Sequence, residues 1–528
     1  MIKLSVMLAM VIGSIFLFCS QVAYSATYYA SNTNCSDSNP GTSTSPWCHC
    51  PGLSGWTGSA TLSAGDTVYF DNSSTWTSSS NQVLDVTGGV TYIGNTWGTG
   101  TRAVFKATGT LAFGVIRITS DDPTYETVVQ GFEVSANNQY ADGIQINRSG
   151  WSVALTGASK IVQNCLVHNV LSNGTAGYYQ YGIMISPQSA TTGVSNVQIL
   201  FNTVHDIGRG AIMLYPGPNN TYTLDNVLVR GNSTYNTGQE GAGLGQGCII
   251  KNNVSNATIE FNNFYGDNAT YGTAIQINND VPSGSATGPI GLTIRYNILA
   301  NTNGSNFYVQ SQGVATTYQV DFYGNLVINA GLGYGAVITS SCIGSLAIRM
   351  YNNTFYGNWV EMDDYAATTT KMVFENNIIY AAAGTVPLRD AYSKITSHSN
   401  NLYYLAGGGT LVTSGSNNYT SSNLTTYEPT ALSSNPLFTN ISNLPTGSPP
   451  FTGFTGTYGV NMQPSENGLS LQAGSPGISY GINLGSPYNG SINTVTRPST
   501  GGWDLGAYEV GVVNTVPNPP SNLSIRAD

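Results

Sequence analysis

One short pattern returns eight times along the middle of the chain: an apolar residue, two variable ones, then asparagine, as in "IVQNCLV", "ILFNTVH", "VRGNSTY", "IEFNNFY", "IRYNILA", "FYGNLVI", "MYNNTFY" and "VFENNII". The asparagines are Asn164, Asn202, Asn232, Asn262, Asn297, Asn325, Asn353 and Asn376, which subtraction spaces by 38, 30, 30, 35, 28, 28 and 23 residues. A repeat of this length builds a solenoid rather than a compact globule. Between the asparagines runs a second series of short alternating segments, among them "GIQIN", "GIMIS", "AIMLY", "CIIKN", "AIQIN", "NFYVQ", "AVITS", "VEMDD" and "PLRDA". Period-two alternation without helical spacing predicts strands, so helical repeats are disfavoured. Several short strands per repeat of uneven length, punctuated by Gly and Asn, predict an all-β parallel β-helix. The asparagines then have a structural reading, because Asn tolerates left-handed backbone and stacked amides can hydrogen-bond from coil to coil at about 4.8 Å.

Charge narrows the function classes. Only 8% of residues are charged and the formal net charge is −10, so the basic footprint that neutralises phosphate is missing. Nucleic acid and anionic membrane are excluded as expected partners. Disorder is opposed by 41% hydrophobic content and 33 tyrosines. The polar surface must therefore be Asn, Ser, Thr, Gly and Tyr, which suits glycans through hydroxyl hydrogen bonds and flat sugar faces.

The first 25 residues carry one lysine, an apolar stretch from Leu4 to Phe18 and a small-x-small end, the order of a secretory signal peptide. Cleavage before Cys19 is disfavoured because bulky Phe18 precedes it, so the mature chain is expected from Ala26 and the protein secreted, extracellular or on the cell surface. No later apolar run is long enough to span a bilayer. For an exported chain, "CHC" reads as a disulfide of Cys35 with Cys48 or Cys50 before it reads as zinc. Cys165, Cys248 and Cys342 sit singly in apolar runs and read as buried thiols.

Both ends carry further motifs. "TYYASNTNCSDSNPGTSTSPW" with "LSAGDTVYF" near the start, and "NPLFTN", "LSLQAGSPGI" and "RPSTGGWDLGAYE" near the finish, resemble the opening and closing segments of bacterial secreted right-handed parallel β-helix proteins of the pectate-lyase-like superfamily. The resemblance spans most of Ala26 to Glu509. It implies a capping segment over 26–60, a parallel β-helix over 61–410, a closing segment over 411–510 and a proline-rich tail over 511–528. That superfamily holds lyases, hydrolases, epimerases and binding proteins, so fold does not settle function. No phosphate-binding loop, dinucleotide fingerprint or nucleophile-elbow motif is present.

With Ile144 and Ile146, Ile183 and Ile185, Ile212 and Leu214, Cys248 and Ile250, and Ile275 and Ile277 pointing inward, alternation sends Gln145, Asn147, Met184, Tyr215, Lys251, Gln276, Asn278, Tyr308, Gln310, Glu361, Asp363 and Arg389 outward. This strip is the expected meeting place for an extracellular polysaccharide, with Tyr215, Gln276, Asn278, Tyr308 and Gln310 as substrate-binding residues. Lyases of the resembled superfamily remove the proton α to a uronate carboxylate with Lys or Arg, often beside calcium, and Lys251 is the candidate catalytic base. Glu361, Asp363 and Asp364 are the candidate calcium ligands, while pairing of Arg389 with Glu361 or Asp363 gives them a structural reading. A glycosidase reading of "VEMDD" lacks the Gly-His-Gly and Arg-x-Lys motifs that accompany it in polygalacturonase-like hydrolases. His205, Tyr235, Tyr265 and Tyr356 form a further aromatic series, and His205, Asp206 and Arg209 a polar cluster with no nucleophile beside it. The sequence thus supports a secreted, monomeric glycan-interacting protein, either a polysaccharide lyase or a noncatalytic surface or matrix protein.

Overall fold

The computed structural model describes residues 25–147, 154–171, 181–187, 193–217, 223–239, 245–266, 272–279, 290–312, 318–341, 346–364, 371–445 and 453–510. The residues before Ser25, Cys342 and the tail from residue 511 lie outside them. The fold is a right-handed parallel β-helix built on three long sheets, of 13, 13 and 12 strands among the described residues. One coil illustrates the path: Leu224–Arg230 lies in the first sheet, Ser233–Tyr235 in the third, Gln246–Lys251 in the second, and Val254–Glu260 begins the next coil in the first. Among the described residues no helix is long and apolar enough to cross a membrane.

Alternation fills the interior. Val229, Ile259, Ile294 and Phe322 from the first sheet, Phe264, Leu299 and Val327 from the third, and Cys248, Ile275 and Phe307 from the second are all fully buried in one continuous core. At the N-terminal end Phe70, Phe105 and Phe132 pack ring on ring, with Trp76 against them. Cys35 is bonded to Cys48. Cys50 points inward and is fully buried, which explains why it is not the partner, and Cys165 and Cys248 are buried free thiols.

The asparagine ladder runs through Asn202, Asn232, Asn262, Asn297, Asn325, Asn353, Asn377 and Asn401. Each rung donates its backbone N–H and its side-chain amide to the Oδ1 of the next, as Asn202 does to Asn232 at 3.0 Å in both bonds. The amide also donates to a carbonyl of the preceding coil, Asn232 Nδ2 to Ile199 at 2.9 Å. Two expected rungs shift by one residue. Asn164 and Asn376 are left-handed, and the rungs are Cys165 and Asn377. The reason is that the left-handed residue precedes the rung: Phe201, Gly231, Phe261, Tyr296, Gly324, Asn352 and Asn400 all have positive φ, whereas the ladder asparagines do not. Left-handed tolerance therefore explains the turn but not the ladder. Cys165 takes an amide's place as the first rung, its Sγ donating to Gln163 O at 3.3 Å and Val129 O at 3.8 Å. The last rung is closed by Glu428, fully buried, which accepts from Asn401 N (2.7 Å), Asn401 Nδ2 (3.1 Å) and Tyr403 Oη (2.8 Å).

The C-terminal segment does not sit on the end of the solenoid. That end carries the antiparallel pair Thr410–Ser414 and Asn417–Thr420 and the helical turn Leu424–Tyr427. Residues beyond it turn back along the ladder corner, where Phe438, Leu469, Leu471, Ile492 and Leu505 form a second apolar core with Ile298, Leu326, Ile328 and Ile378. Trp503 to Glu509 lie on this flank, with Ala507 N donating to Thr354 Oγ1 at 2.9 Å and Asn352 Nδ2 to Asp504 O at 3.1 Å. Buried Arg497 ties the strap to itself through Glu509 at 2.7 Å and through the carbonyls of Asp504 and Gly506. Two polar clamps fasten it to the solenoid. Tyr458 Oη donates to Glu260 at 3.0 Å while Arg230 and Arg295 hold the same carboxylate at 2.6 and 2.7 Å. Tyr488 Oη donates to Asp321 at 3.1 Å.

Asn262→Leu removes a donor and an acceptor that buried neighbours need, and unfolding in urea should reveal a loss of about 1 to 3 kcal/mol. The Glu260 clamp predicts a pH dependence. Burial pushes this carboxyl up, but Arg295 and Arg230 more than offset it and hold it below the ordinary glutamate value. A group depressed on folding stabilises above its unfolded pKa, about 4.3, and loses that contribution as pH falls through the folded value. Protease cleavage of the strap should therefore accelerate below about pH 4 in the wild type, and Glu260→Gln should flatten that dependence.

Candidate functional site

The outward face of the second sheet is a set of columns, one residue per coil. Register places Lys251 opposite Asn278, Asn278 opposite Gln310, Gln310 opposite Thr339 and Thr339 opposite Asp363. Tyr215 and Lys251 follow the paired Leu214 and Ile250, and Ser186 and Tyr215 follow the paired Ile185 and Leu214. In "GCIIK" the alternation buries Cys248 and Ile250 completely, so Lys251 emerges at the strand end, half-buried, with Nζ 5.4 Å from the centre of the Tyr215 ring. That is within range of a cation–π contact. Two polar atoms flank the pair. Ser186 Oγ and Asn278 Oδ1 are buried and have no hydrogen-bond partner among the described residues. Orphaned buried polar atoms are uncommon in folded proteins and point to a missing partner.

Several outward residues are not on the surface. Gln145 is fully buried, with Nε2 donating to Asp142 at 2.7 Å and Oε1 accepting from Gly114 N at 3.2 Å. Asn147 and Met184 are buried as well. Gln276 is buried and accepts from Gln246 Nε2 at 2.9 Å, so it lies under the face and is committed to structure. The neighbouring column explains the pattern, since Met184, Met213 and Ile249 form an apolar strip with Tyr181 and with Tyr215 against it. The half-buried strip available to a ligand runs from Tyr215 through Lys251, Asn278, Tyr308 and Gln310 to Glu361, Asp363 and Arg389.

At its far end Arg389 stands opposite Glu361, with Nη1 3.8 Å from Oε2. Two aromatic residues absent from the sequence reading complete this cluster. Trp359 Nε1 donates to Glu361 at 3.1 Å, the Arg389 guanidinium lies 4.8 Å from the Trp359 ring centre, and Tyr334 packs on Trp359 at 4.8 Å. A bulge between Tyr334 and Ala336 brings Tyr334 opposite Trp359. Regular alternation starts only after it, which is why "AVITS" and "VEMDD" stop short of both rings. Glu361 is thus engaged by Trp359 and Arg389, Asp364 ends the strand with its side chain outside the described part, and no group of three or more His, Cys, Asp or Glu able to hold a metal exists among the described residues.

The other candidates lie on the third sheet, around the solenoid from Lys251. His205 Nδ1 is 2.7 Å from Asp206 Oδ2, and its ring stacks between His168 (5.3 Å) and Tyr235 (4.7 Å). Burial holds the imidazole below its ordinary value, outweighing Asp206. Farther along, Tyr356 and Tyr380 pack on Phe438 of the strap, so that part of the aromatic series covers structure.

No protein-family model matches the chain, and no curated protein does. Solved structures similar to it include the GH136 lacto-N-biosidase from Eubacterium ramulus, at 12% identity and TM-score 0.44, over 71% of this chain and 66% of that one, just under two thirds of its length. The complex of XylC with xylose is similar at 10% identity and TM-score 0.49, over 92% of this chain and 98% of that one. Pectate lyase Pel9A is similar at 14% identity and TM-score 0.41, over 93% and 98%. At these values the likeness concerns the course of the chain alone. Structural and ligand-facing roles separate by mutation: Gln276→Leu strips Gln246 of its acceptor and should lower stability by about 1 to 3 kcal/mol in urea unfolding.

Proposed function

We propose that the face from Tyr215 to Gln310 binds an acidic extracellular polysaccharide and that Lys251 meets a carboxylate of the bound chain. The observation that carries this reading is the half-buried column of Tyr215, Lys251, Asn278 and Gln310, with Lys251 Nζ 5.4 Å from the centre of the Tyr215 ring. A sugar offers that column hydroxyls for the side-chain amides of Asn278 and Gln310 and a flat ring face for the tyrosine. Export through the leader of residues 1–25 places the protein, as a monomer, outside the cell or at its surface, where such chains occur.

Lys251 also supports a second reading, as the base of a lyase that takes the proton α to a uronate carboxylate while the glycosidic oxygen at the β carbon departs. The carboxylates Glu361 and Asp363 cannot share that step, because four coils at about 4.8 Å put them roughly 19 Å away. Purified chain from Ala26, wild type and Lys251→Ala, should be tested against a panel of uronic-acid polysaccharides for binding and for absorbance from unsaturated ends. Wild type should bind, and the variant should bind about tenfold more weakly, the equivalent of one charge-assisted contact. Rising absorbance in wild type alone assigns the lyase, and binding without it assigns the noncatalytic surface or matrix role. Equal binding by both proteins overturns the proposal.

A further inference from the structure

The outward face of the first sheet is open before the strap reaches it. In the opening strands "TYY", "TVY" and "TYI" pair in register, so Thr27, Thr67 and Thr91 form one outward column and Tyr29, Tyr69 and Ile93 the next, while Val68 and Tyr92 between them are fully buried. The second column continues through Gln130 and Gln163 to Leu200 and Arg230. Gln163 Nε2 donates to Gln130 Oε1 at 2.7 Å, which leaves the other two amide atoms of the pair without a partner among the described residues. Past a bulge after Tyr69, Trp97 stands opposite Asp71 with its ring edge-on to Tyr29 at 5.0 Å, and Tyr29 stacks on Tyr69 at 5.4 Å. All three rings are half-buried, and Tyr29 Oη, Tyr69 Oη, Trp97 Nε1 and the three threonine hydroxyls make no hydrogen bond to any described residue. Trp47, Trp76 and Trp503, by contrast, each donate to a carbonyl of the fold.

No charged side chain stands in these two columns before Arg230. The charged groups at their borders are engaged: buried Asp66 accepts from Ala26 N and Ser63 N, buried Asp71 from Ser31 and Ser73, and Arg102 donates to Asn164. From Arg230 onward the strap covers the column, with the Tyr458 ring 3.8 Å from the guanidinium and its Oη on Glu260. The column is thus closed where it is charged and open where it is uncharged. Aromatic rings take the apolar face of a pyranose, and the hydroxyls, indole N–H and amides exchange hydrogen bonds with its hydroxyls, whereas a uronate finds no charge here to offset its desolvation. We infer that the face from Tyr29 to Gln163 binds a neutral polysaccharide laid along the solenoid axis. Four coil steps, roughly 19 Å at about 4.8 Å each, give room for roughly four pyranose rings. This site lies on a different sheet from Lys251 and does not rest on the reading of that lysine.

The test is native-gel retardation of wild type, Tyr69→Ala, Trp97→Ala and Lys251→Ala by uncharged polysaccharides, namely hydroxyethyl cellulose, arabinoxylan, galactomannan and soluble starch, with sedimentation velocity on the same proteins. Wild type should be retarded by at least one of them. Each of Tyr69→Ala and Trp97→Ala should bind that polysaccharide about five- to tenfold more weakly, the scale of one aromatic contact, and Lys251→Ala should bind as wild type does. Tyr69→Phe and Trp97→Phe keep an aromatic ring and remove the hydrogen-bonding tip, so they should bind about two- to threefold more weakly, and they decide the matter if an alanine variant does not fold. The inference is overturned if none of the polysaccharides retards wild type, or if the substitutions at Tyr69 and Trp97 leave retardation unchanged. Loss of retardation in Lys251→Ala alone overturns it by moving the neutral chain to the second sheet. A wild-type dimer that Trp97→Ala converts to monomer also overturns it, since a second copy then covers the face.

Discussion

Everything in this solenoid hangs on a buried amide ladder at one corner. Each coil must turn there without exposing or orphaning its backbone, and a fully buried asparagine does both tasks, taking the N–H of the rung before it and capping a carbonyl of the coil behind. Because an unsatisfied buried polar group costs about 1 to 3 kcal/mol, every rung depends on its neighbours and the run needs ends that need nothing further. Cys165 begins it with a thiol, a weaker donor that fits an apolar surround. Glu428 ends it with a carboxylate, which accepts from both donors of Asn401 without requiring a rung beyond.

A fixed corner keeps the sheets in register while the connections vary. Two residues link Lys251 to Val254, whereas twelve link Asn279 to Leu292, and the strands on either side still pair in step. The connections into the second sheet vary as well, two residues from Ile207 to Gly210 and ten from Tyr235 to Gln246, so the length variation falls on both sides of the columns that hold Lys251 and its neighbours.

The strap divides the outside of the molecule. Its packing core and its two clamps rest on the first and third sheets around the ladder corner, where Phe261 and Tyr296 present left-handed aromatic side chains to Phe454, Tyr458 and Gly490. Aromatic residues at positive φ are strained, and their positions make sense as anchors for this cover. From Phe261 onward the flank is thereby spent on stability, while the second sheet keeps half-buried polar, aromatic and charged side chains in columns.

Sequence by itself determined the solenoid, its strand parity and the alignment of Tyr215, Lys251 and Asn278, because repeat length, period-two alternation and pairing at a constant coil rise are written locally in the chain. It also limited the Cys35 bond to two partners. Tertiary structure decided the rest. Cys48 rather than Cys50 closes the disulfide because Cys50 faces the core, and the rungs are Cys165 and Asn377 because the residue before each rung makes the turn. Gln145 and Gln276 point outward yet are buried, since alternation specifies a direction but not what lies above it. Tyr334 meets Trp359 only because a bulge skips one residue, and the closing segment runs along the flank because Ile298, Leu326, Ile328 and Ile378 offer apolar surface there that no local pattern assigns to a partner.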